Sequence, residues 1–490
     1  MRKSRILLCI LILLTIHGAS HCLVDNLKVG QTCSKDDQCD PPYLICSTGK
    51  CKHKPLFPMT STEIYSIFFI VGFSIIGVVV GVGSGTVLVP LTIMFIGFTT
   101  QQSVALTNGV TLMASIVKYI MGIFLMSPIT PYKTIVDYNC ILVMLPMMTL
   151  FSTFGGIVAN FVPGILIIII LLASHVACIV IGYRSYTQQK GKEFKFTREM
   201  FEKARYSSNP YAELKDLPLE SPRPSPSQIS GFKAMSIDRS PLTNQKQAEI
   251  DRQLVVESSN FVPKKILPIV FIMVLSIIVG LLRGAKGSSS IVGITYCSKA
   301  DFLVLGGYTV LLSLMQVICS WIVIEEQNRK ERIGWPRDPS EKTFTTGEHL
   351  FTIFWGAVTG FMLSMLGGGV FLAPYLLIIG FMPVTTAWTL NTLMVVSKAA
   401  AVIINYMTGD ILVDYTLFYG LFITLGMLVN EKVLVDCIKR TNSQIFYPIA
   451  LIVIMTVALT TTFYVGYSQI NEGYYGSAGK STWKFGSFCT

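Results

Sequence analysis

The sequence predicts an all-α, polytopic membrane protein with inverted internal repeats and Gly/Pro-broken helices, preceded by a small disulfide-rich segment. Three observations carry that prediction. Of the 490 residues 51% are hydrophobic and only 14% charged, where a soluble domain carries about 25% charged residues. Long apolar runs recur between residues 62 and 467, many of them near the roughly 20 residues that a helix needs to cross a bilayer. One short glycine-rich pattern also occurs twice, each copy following a long apolar run.

The first copy is Gly81-Val82-Gly83-Ser84-Gly85 leading to Pro90; the second is Gly367-Gly368-Gly369 leading to Pro374. Aligning the prolines superposes Gly83, Gly85 and Leu88 on Gly367, Gly369 and Leu372. With one residue deleted the match continues from Asn108 to Asn391. Each copy is a hydrophobic helix, a glycine break, a short proline-containing segment and an asparagine entering the next helix. Interrupted segments at matching places in two halves point to the substrate site of a secondary transporter.

Taken in order, residues 1–22 have the three-part form of a secretory signal peptide: Arg2 and Lys3, a short apolar run, then small residues. An uncleaved anchor is the competing reading. Residues 23–60 hold Cys33, Cys39, Cys46 and Cys51 among polar residues, which predicts two disulfides in an oxidising compartment and an extracytoplasmic N-terminus. Zinc is disfavoured because no C-x-x-C pair is present and His53 is the one nearby histidine. The spacing sets no pairing order.

Residues 61–183 form the first transmembrane repeat, with apolar segments at 62–82, 86–98, 103–126, 136–158 and 163–183. A Lys-, Arg-, Ser- and Pro-rich stretch at 184–262 has the composition of a disordered cytoplasmic loop open to phosphorylation. Residues 263–347 supply two linking helices, with apolar segments at 264–283 and 301–324, and a loop; 348–470 form the second repeat, with apolar segments at 349–366, 370–381, 384–407, 413–430 and 445–467; and 471–490 are a C-terminal tail. Segments 86–98 and 370–381 would be about 20 Å long as helices, against a hydrocarbon core of about 30 Å. Each therefore shares a crossing with its neighbour or re-enters. Counting each as a crossing leaves the basic stretches 325–347 and 432–444 in the cytoplasm, as the positive-inside rule requires, and makes the second repeat inverted.

The paired glycine-to-proline segments, each followed by a polar helix, resemble the sulfite exporter (TauE/SafE) family in its eukaryotic two-half arrangement. The stretch from Arg283-Gly284 through Ser290-Ile-Val-Gly293 to Cys297 is similar to the corresponding part of plant and protist members. The likeness covers about residues 60–470. It implies movement of sulfite, organosulfonates or related sulfur anions across a membrane. The first half departs from the triple-glycine form at Ser84, so the two half-sites need not be equivalent.

An anionic substrate also suits the physical chemistry. A helix that begins inside the membrane offers unpaired N–H groups and the positive end of its dipole, and glycine lets the backbone approach a ligand. The candidate substrate residues are Gly83, Ser84, Gly85, Pro90, Asn108, Ser115, Gly367, Gly368, Gly369, Pro374, Asn391 and Lys398. Close helix packing through small residues is the alternative use of the glycines. Asn108 and Ser115 are seven residues apart, as are Asn391 and Lys398, so each pair shares a helix face. Intramembrane lysines are functional suspects, so Lys118 joins His175 as a possible coupling residue for a proton or cation. Snorkelling would explain Lys118, and a hydrogen-bonded buried histidine would explain His175.

Asp137 and Asp410 are expected at helix ends, and Cys140, Cys178, Cys319 and Cys437 as small core residues. The +11 formal charge suits loops facing anionic lipid, and no base-reading motif suggests nucleic acid. Walker, H-E-x-x-H and G-x-S-x-G motifs are missing, so neither an enzyme nor a cofactor nor a metal is expected. The expected partners are a small anion and the lipid bilayer, in the plasma membrane or an endomembrane of the secretory pathway. Two rivals are a receptor or scaffold using the Cys-rich ectodomain and the 184–262 loop, and a channel.

Overall fold

A computed structural model describes residues 32–39, 43–81, 83–125, 134–159, 161–193, 253, 262–283, 290–333, 343–366, 369, 371–441 and 446–475. The expected signal peptide, Gly367, Gly368, the C-terminal tail and most of 184–262 lie outside the described residues.

The N-terminal segment folds as a two-stranded antiparallel hairpin of β1 (Leu44–Ser47) and β2 (Lys50–His53), with Cys46 facing Cys51 across it. The disulfides are Cys33–Cys46 and Cys39–Cys51, so the metal alternative falls: the thiolates a zinc ion would need are spent on S–S bonds. Twelve helices follow: α1 (Ser61–Val80), α2 (Gly85–Ile96), α3 (Thr100–Ile123), α4 (Tyr138–Ala159), α5 (Gly164–Glu193), α6 (Pro263–Arg283), α7 (Lys299–Ile333), α8 (Thr346–Leu366), α9 (Leu372–Ile378), α10 (Pro383–Met407), α11 (Val413–Thr441) and α12 (Phe446–Tyr475). Among the described residues, nine of them are long and apolar enough to cross a membrane. The chain is a polytopic helical membrane protein.

Local sequence sets the helix ends. Thr60 and Glu63 form a capping box at the start of α1, and Thr99 and Gln102 form one at α3, satisfying backbone donors that would otherwise be orphaned. At Gly81 the chain turns left-handed with φ 87°, where a side chain would also meet Ala387 Cα at 2.7 Å. Both causes stop α1 there. Pro90 sits inside α2, removing the hydrogen bond that would otherwise reach the Thr86 carbonyl. Two helices outrun the boundaries that hydropathy sets. α5 continues to Glu193, beyond the expected end at 183, and α11 continues to Thr441 rather than 430, because helical hydrogen bonding does not stop where apolar composition does.

The linking helices show which face meets lipid. Leu267, Phe271, Val274 and Ile278 of α6, and Val310, Leu314, Val317 and Trp321 of α7, are exposed at three- and four-residue spacings. Such apolar stripes would be untenable in water and are ordinary against hydrocarbon. On their inner side, Arg283 pairs with Asp301 at 2.6 Å. Lys265 and Lys330 hold Glu326, which also accepts from Asn139 of α4.

The helices of 61–193 and those of 346–475 pack with exchanged roles. α4 lies on α8 as α11 lies on α1, α2 on α12 as α9 on α5, and α3 on α11 as α10 on α4; α3 meets α10 and α5 meets α12. The α4–α8 contact is close because glycines line it. A Cβ at Gly360 would collide with the Met148 carbonyl, and one at Gly155 with the Phe361 carbonyl. This is the small-residue packing that replaces hydrophobic driving force inside a membrane.

The hairpin rests on the start of the bundle. Leu56 N–H donates to Asp414 Oδ2 at 2.6 Å, Lys54 pairs with Glu63 at 2.8 Å, and His53 Nε2 lies 3.0 Å from the Ile96 carbonyl. Burial holds the His53 pKa below its ordinary 6.5, partly offset by its backbone partners. A depressed histidine favours the neutral form, so its stabilising contribution is complete above about pH 6.5 and declines as pH falls below it.

Two outcomes follow. Gly360→Ala should lower the stability of the detergent-solubilised protein by about 2 kcal/mol through overpacking against backbone, while Gly307→Ala, with nothing near its Cβ, should leave the melting temperature unchanged or slightly raised. The hydrogen-exchange protection factors of residues 43–56, corrected for the intrinsic pH dependence of exchange, should fall between pH 7.5 and 5.5, and His53→Asn should flatten that fall.

Candidate functional site

The two halves meet where α3 and α10 cross. Lys398 Nζ of α10 donates to Asn108 Oδ1 of α3 at 2.6 Å, and seven residues along, Ser115 Oγ of α3 donates to Asn391 Oδ1 of α10 at 3.4 Å. The helices are therefore antiparallel here, and all four side chains are at most 6% exposed. Asn391 spends its amide on two carbonyls, Ala387 at 2.7 Å in its own helix and Val78 at 3.2 Å in the last turn of α1. The repeat asparagines and their i+7 partners thus come together in crossed pairs.

The first glycine break lies beside them. Gly83 has φ 82° and faces the Thr111 side chain. Ser84 is the residue before α2 but does not cap it; its hydroxyl pairs with Thr111 Oγ1 at 2.8 Å. The first turn of α2, beginning at Gly85, therefore lacks a side-chain cap. Thr86 in that turn, and Thr107 one turn before Thr111 on α3, have buried hydroxyls without a hydrogen-bond partner among the described residues. An orphaned hydroxyl at an uncapped helix start is polar, and the free N–H groups there carry the positive end of the helix dipole. In the second half Gly369 is buried, and its carbonyl accepts from Leu372 N–H at the start of α9. Pro90 and Pro374 are buried inside α2 and α9.

Lys118 neither snorkels nor joins Lys398. Its ammonium is wholly buried, donates to the carbonyls of Val78 at 3.3 Å and Val79 at 3.0 Å, pairs with Glu431 Oε2 at 3.3 Å, and sits 4.9 Å from the Trp388 ring centroid. Val78 is thus shared by Lys118 and Asn391. His175 is apart from this group on α5, fully buried, and neither ring nitrogen has a hydrogen-bond partner among the described residues. The hydrogen-bonded histidine expected there is not seen.

Sequence reasoning missed Glu431. The apolar segment was expected to end at 430, one residue short of it, whereas the helix carries Glu431 inside to 1% exposure. An acidic residue adjoining an apolar run, with an unpartnered lysine elsewhere, was the available signal. Thr111 was also missed; it lies one turn from Asn108 and Ser115 and could have been found by that spacing. Asp137 caps α4, accepting from Asn139 and Cys140 N–H at 3.0 Å each, and Asp410 accepts from Thr408; both are end-of-helix groups. Cys140, Cys178 and Cys319 are buried as expected, while the side chain of Cys437 is outside the described set.

The chain is 23% identical over 399 residues to "Sulfite exporter TauE/SafE family protein 3" of Arabidopsis thaliana, a match spanning 80% of this chain and 76% of that one. No family model matches the sequence, and no solved structure matches it.

The buried pair sets a measurable expectation. Lys118→Met should cost about 3–5 kcal/mol of stability, since it leaves a carboxylate buried without its partner. Adding Glu431→Leu to the same chain should recover most of that loss in a thermal melt of the purified protein.

Proposed function

We propose that this protein is a secondary transporter of sulfite or a related sulfur-containing anion, working by alternating access at the interface of two inverted repeats. The observation that carries this reading is the crossed pairing of Asn108 with Lys398 and Ser115 with Asn391. Lys398 is the repeat counterpart of Ser115 and Asn391 that of Asn108, so a two-fold axis in the membrane plane would generate both pairs from one. The exchanged helix contacts support the same axis. Transporters built this way bind substrate near the midplane and rock one repeat against the other.

The anion would sit between the uncapped start of α2 and Lys398, with the hydroxyls of Ser84, Thr86, Thr107 and Thr111 around it. Lys398 supplies a charge where developing an anion site otherwise depends on dipoles alone. The relative's name supports sulfur anions as the substrate class. Its counterpart in a receptor would need neither buried lysine nor paired breaks.

For orientation we favour an extracytoplasmic N-terminus in a membrane of the secretory pathway. Cys297, in the loop before α7, is disulfide-bonded, as are the four N-terminal cysteines. Counting α2 and α9 as crossings puts that loop on the same side as the N-terminal hairpin, whereas re-entry would put it in the reducing cytosol.

Purified protein in proteoliposomes should take up labelled sulfite saturably, with counterflow that a channel lacks, and with taurine, sulfate and thiosulfate as competitors. Asn391→Ala combined with Lys398→Ala should cut the flux at least tenfold while the variant still inserts and purifies as a single species. No flux for any of these anions under proton or sodium gradients would reject the transporter reading.

A further inference from the structure

We infer that Glu431 is the protonation site through which a proton gradient drives anion movement, with Lys118 as the charge it holds and releases. This rests on the transporter reading above.

The geometry has three parts. First, Glu431 of α11 and Lys118 of α3 join the two halves, and both are buried, at 1% and 0% side-chain exposure. α11 packs on both α1 and α3, so the pair lies in the seam that alternating access must move. At the other end of the same seam, Tyr415 donates to Glu63 at 2.7 Å.

Second, the carboxylate is used on one side only. Oε2 takes the Lys118 ammonium, while Oε1 has no hydrogen-bond partner among the described residues. Among the described residues, α3 brings Lys118, whose other partners are the α1 carbonyls of Val78 and Val79, and α12 brings Tyr447, which interacts electrostatically with Glu431 and whose hydroxyl is also without a hydrogen-bond partner there. On α11 itself the neighbouring Lys432 is exposed. A buried carboxylate oxygen with an open lone pair is a proton acceptor at a place where leaving it bare is costly.

Third, the pair is wired to the candidate anion site. Lys118 and Asn391 both donate to the Val78 carbonyl, and Asn391 accepts from Ser115. With Glu431 ionised, the pair is neutral. A proton arriving from the aqueous side binds Oε1, leaves Glu431 uncharged and leaves Lys118 with a net positive charge. That state favours an anion at the neighbouring site, and by reciprocity the anion favours the proton. The proton departs from Oε1 after the anion has left on the other side. A metal cation fits less well, because the Lys118 ammonium already bonds the three oxygens that would coordinate it.

The test compares wild type with Glu431→Gln in proteoliposomes, using labelled sulfite in two assays. Wild type should show both counterflow without a gradient and accumulation driven by an acid exterior. The variant should keep measurable counterflow while losing proton-driven accumulation at least tenfold. Equal proton-driven accumulation in both would overturn the inference, as would wild-type accumulation that follows sodium and ignores pH. If wild type itself lacks sulfite counterflow, the transporter reading fails, and infrared difference spectra then judge the protonation alone. So do they if the variant is inactive in both assays. A carboxylic-acid carbonyl band that appears on acidifying wild type and is missing in a monodisperse Glu431→Gln sample supports the site; the same band in both rejects it.

Discussion

A hydrocarbon environment offers no water to a stranded polar group, and that constraint organises this protein. The buried lysines and asparagines where α3, α10, α1 and α11 meet take partners from other helices. Lys398 bonds Asn108, Asn391 bonds Val78 and Ser115, and Lys118 bonds Glu431 with two carbonyls. Because those partners belong to different halves of the chain, satisfying the polar groups also fixes how the halves dock.

The glycine break supplies the acceptors. α1 ends at Gly81, whose N–H still bonds the Val78 carbonyl at 3.1 Å; beyond that tightened last turn no regular turn of helix follows, and the Val78 and Val79 carbonyls are the ones that Lys118 and Asn391 use. A helix that ran straight through would carry further turns over those oxygens and bond both of them in its own backbone. The glycine that lets α2 start inside the protein therefore also creates the polar contacts that hold α3 and α10 beside it.

Outside this seam the molecule is built by ordinary membrane rules. Close glycine contacts join α4 to α8, and apolar stripes on α6 and α7 face outward. Ion pairs stand near the ends of the linking helices, Arg283 with Asp301 and Lys265 with Glu326. The disulfide hairpin, too small to hold a core, leans on the start of α1, the end of α2 and the start of α11 through Glu63, Ile96 and Asp414.

Much of this was legible in the sequence. Apolar run length and the doubled Gly/Pro pattern determined the helix count to within the described residues, the short broken segments, and the asparagine and lysine faces, because hydropathy and backbone freedom are local properties. The i+7 spacing placed Asn108 with Ser115 and Asn391 with Lys398 on shared faces. It could not say that the pairs would cross, since that depends on antiparallel docking of helices 283 residues apart. The partner of Lys118 was hidden for the same reason: Glu431 stands more than 300 residues away, one position beyond an apolar run. The disulfide pairing likewise waited on the fold, which sets Cys46 opposite Cys51 in the hairpin and bonds Cys46 to Cys33 and Cys51 to Cys39. Local chemistry determined which residues could serve; only the tertiary structure decided which of them meet, because a buried charge is satisfied by whatever the fold brings to it.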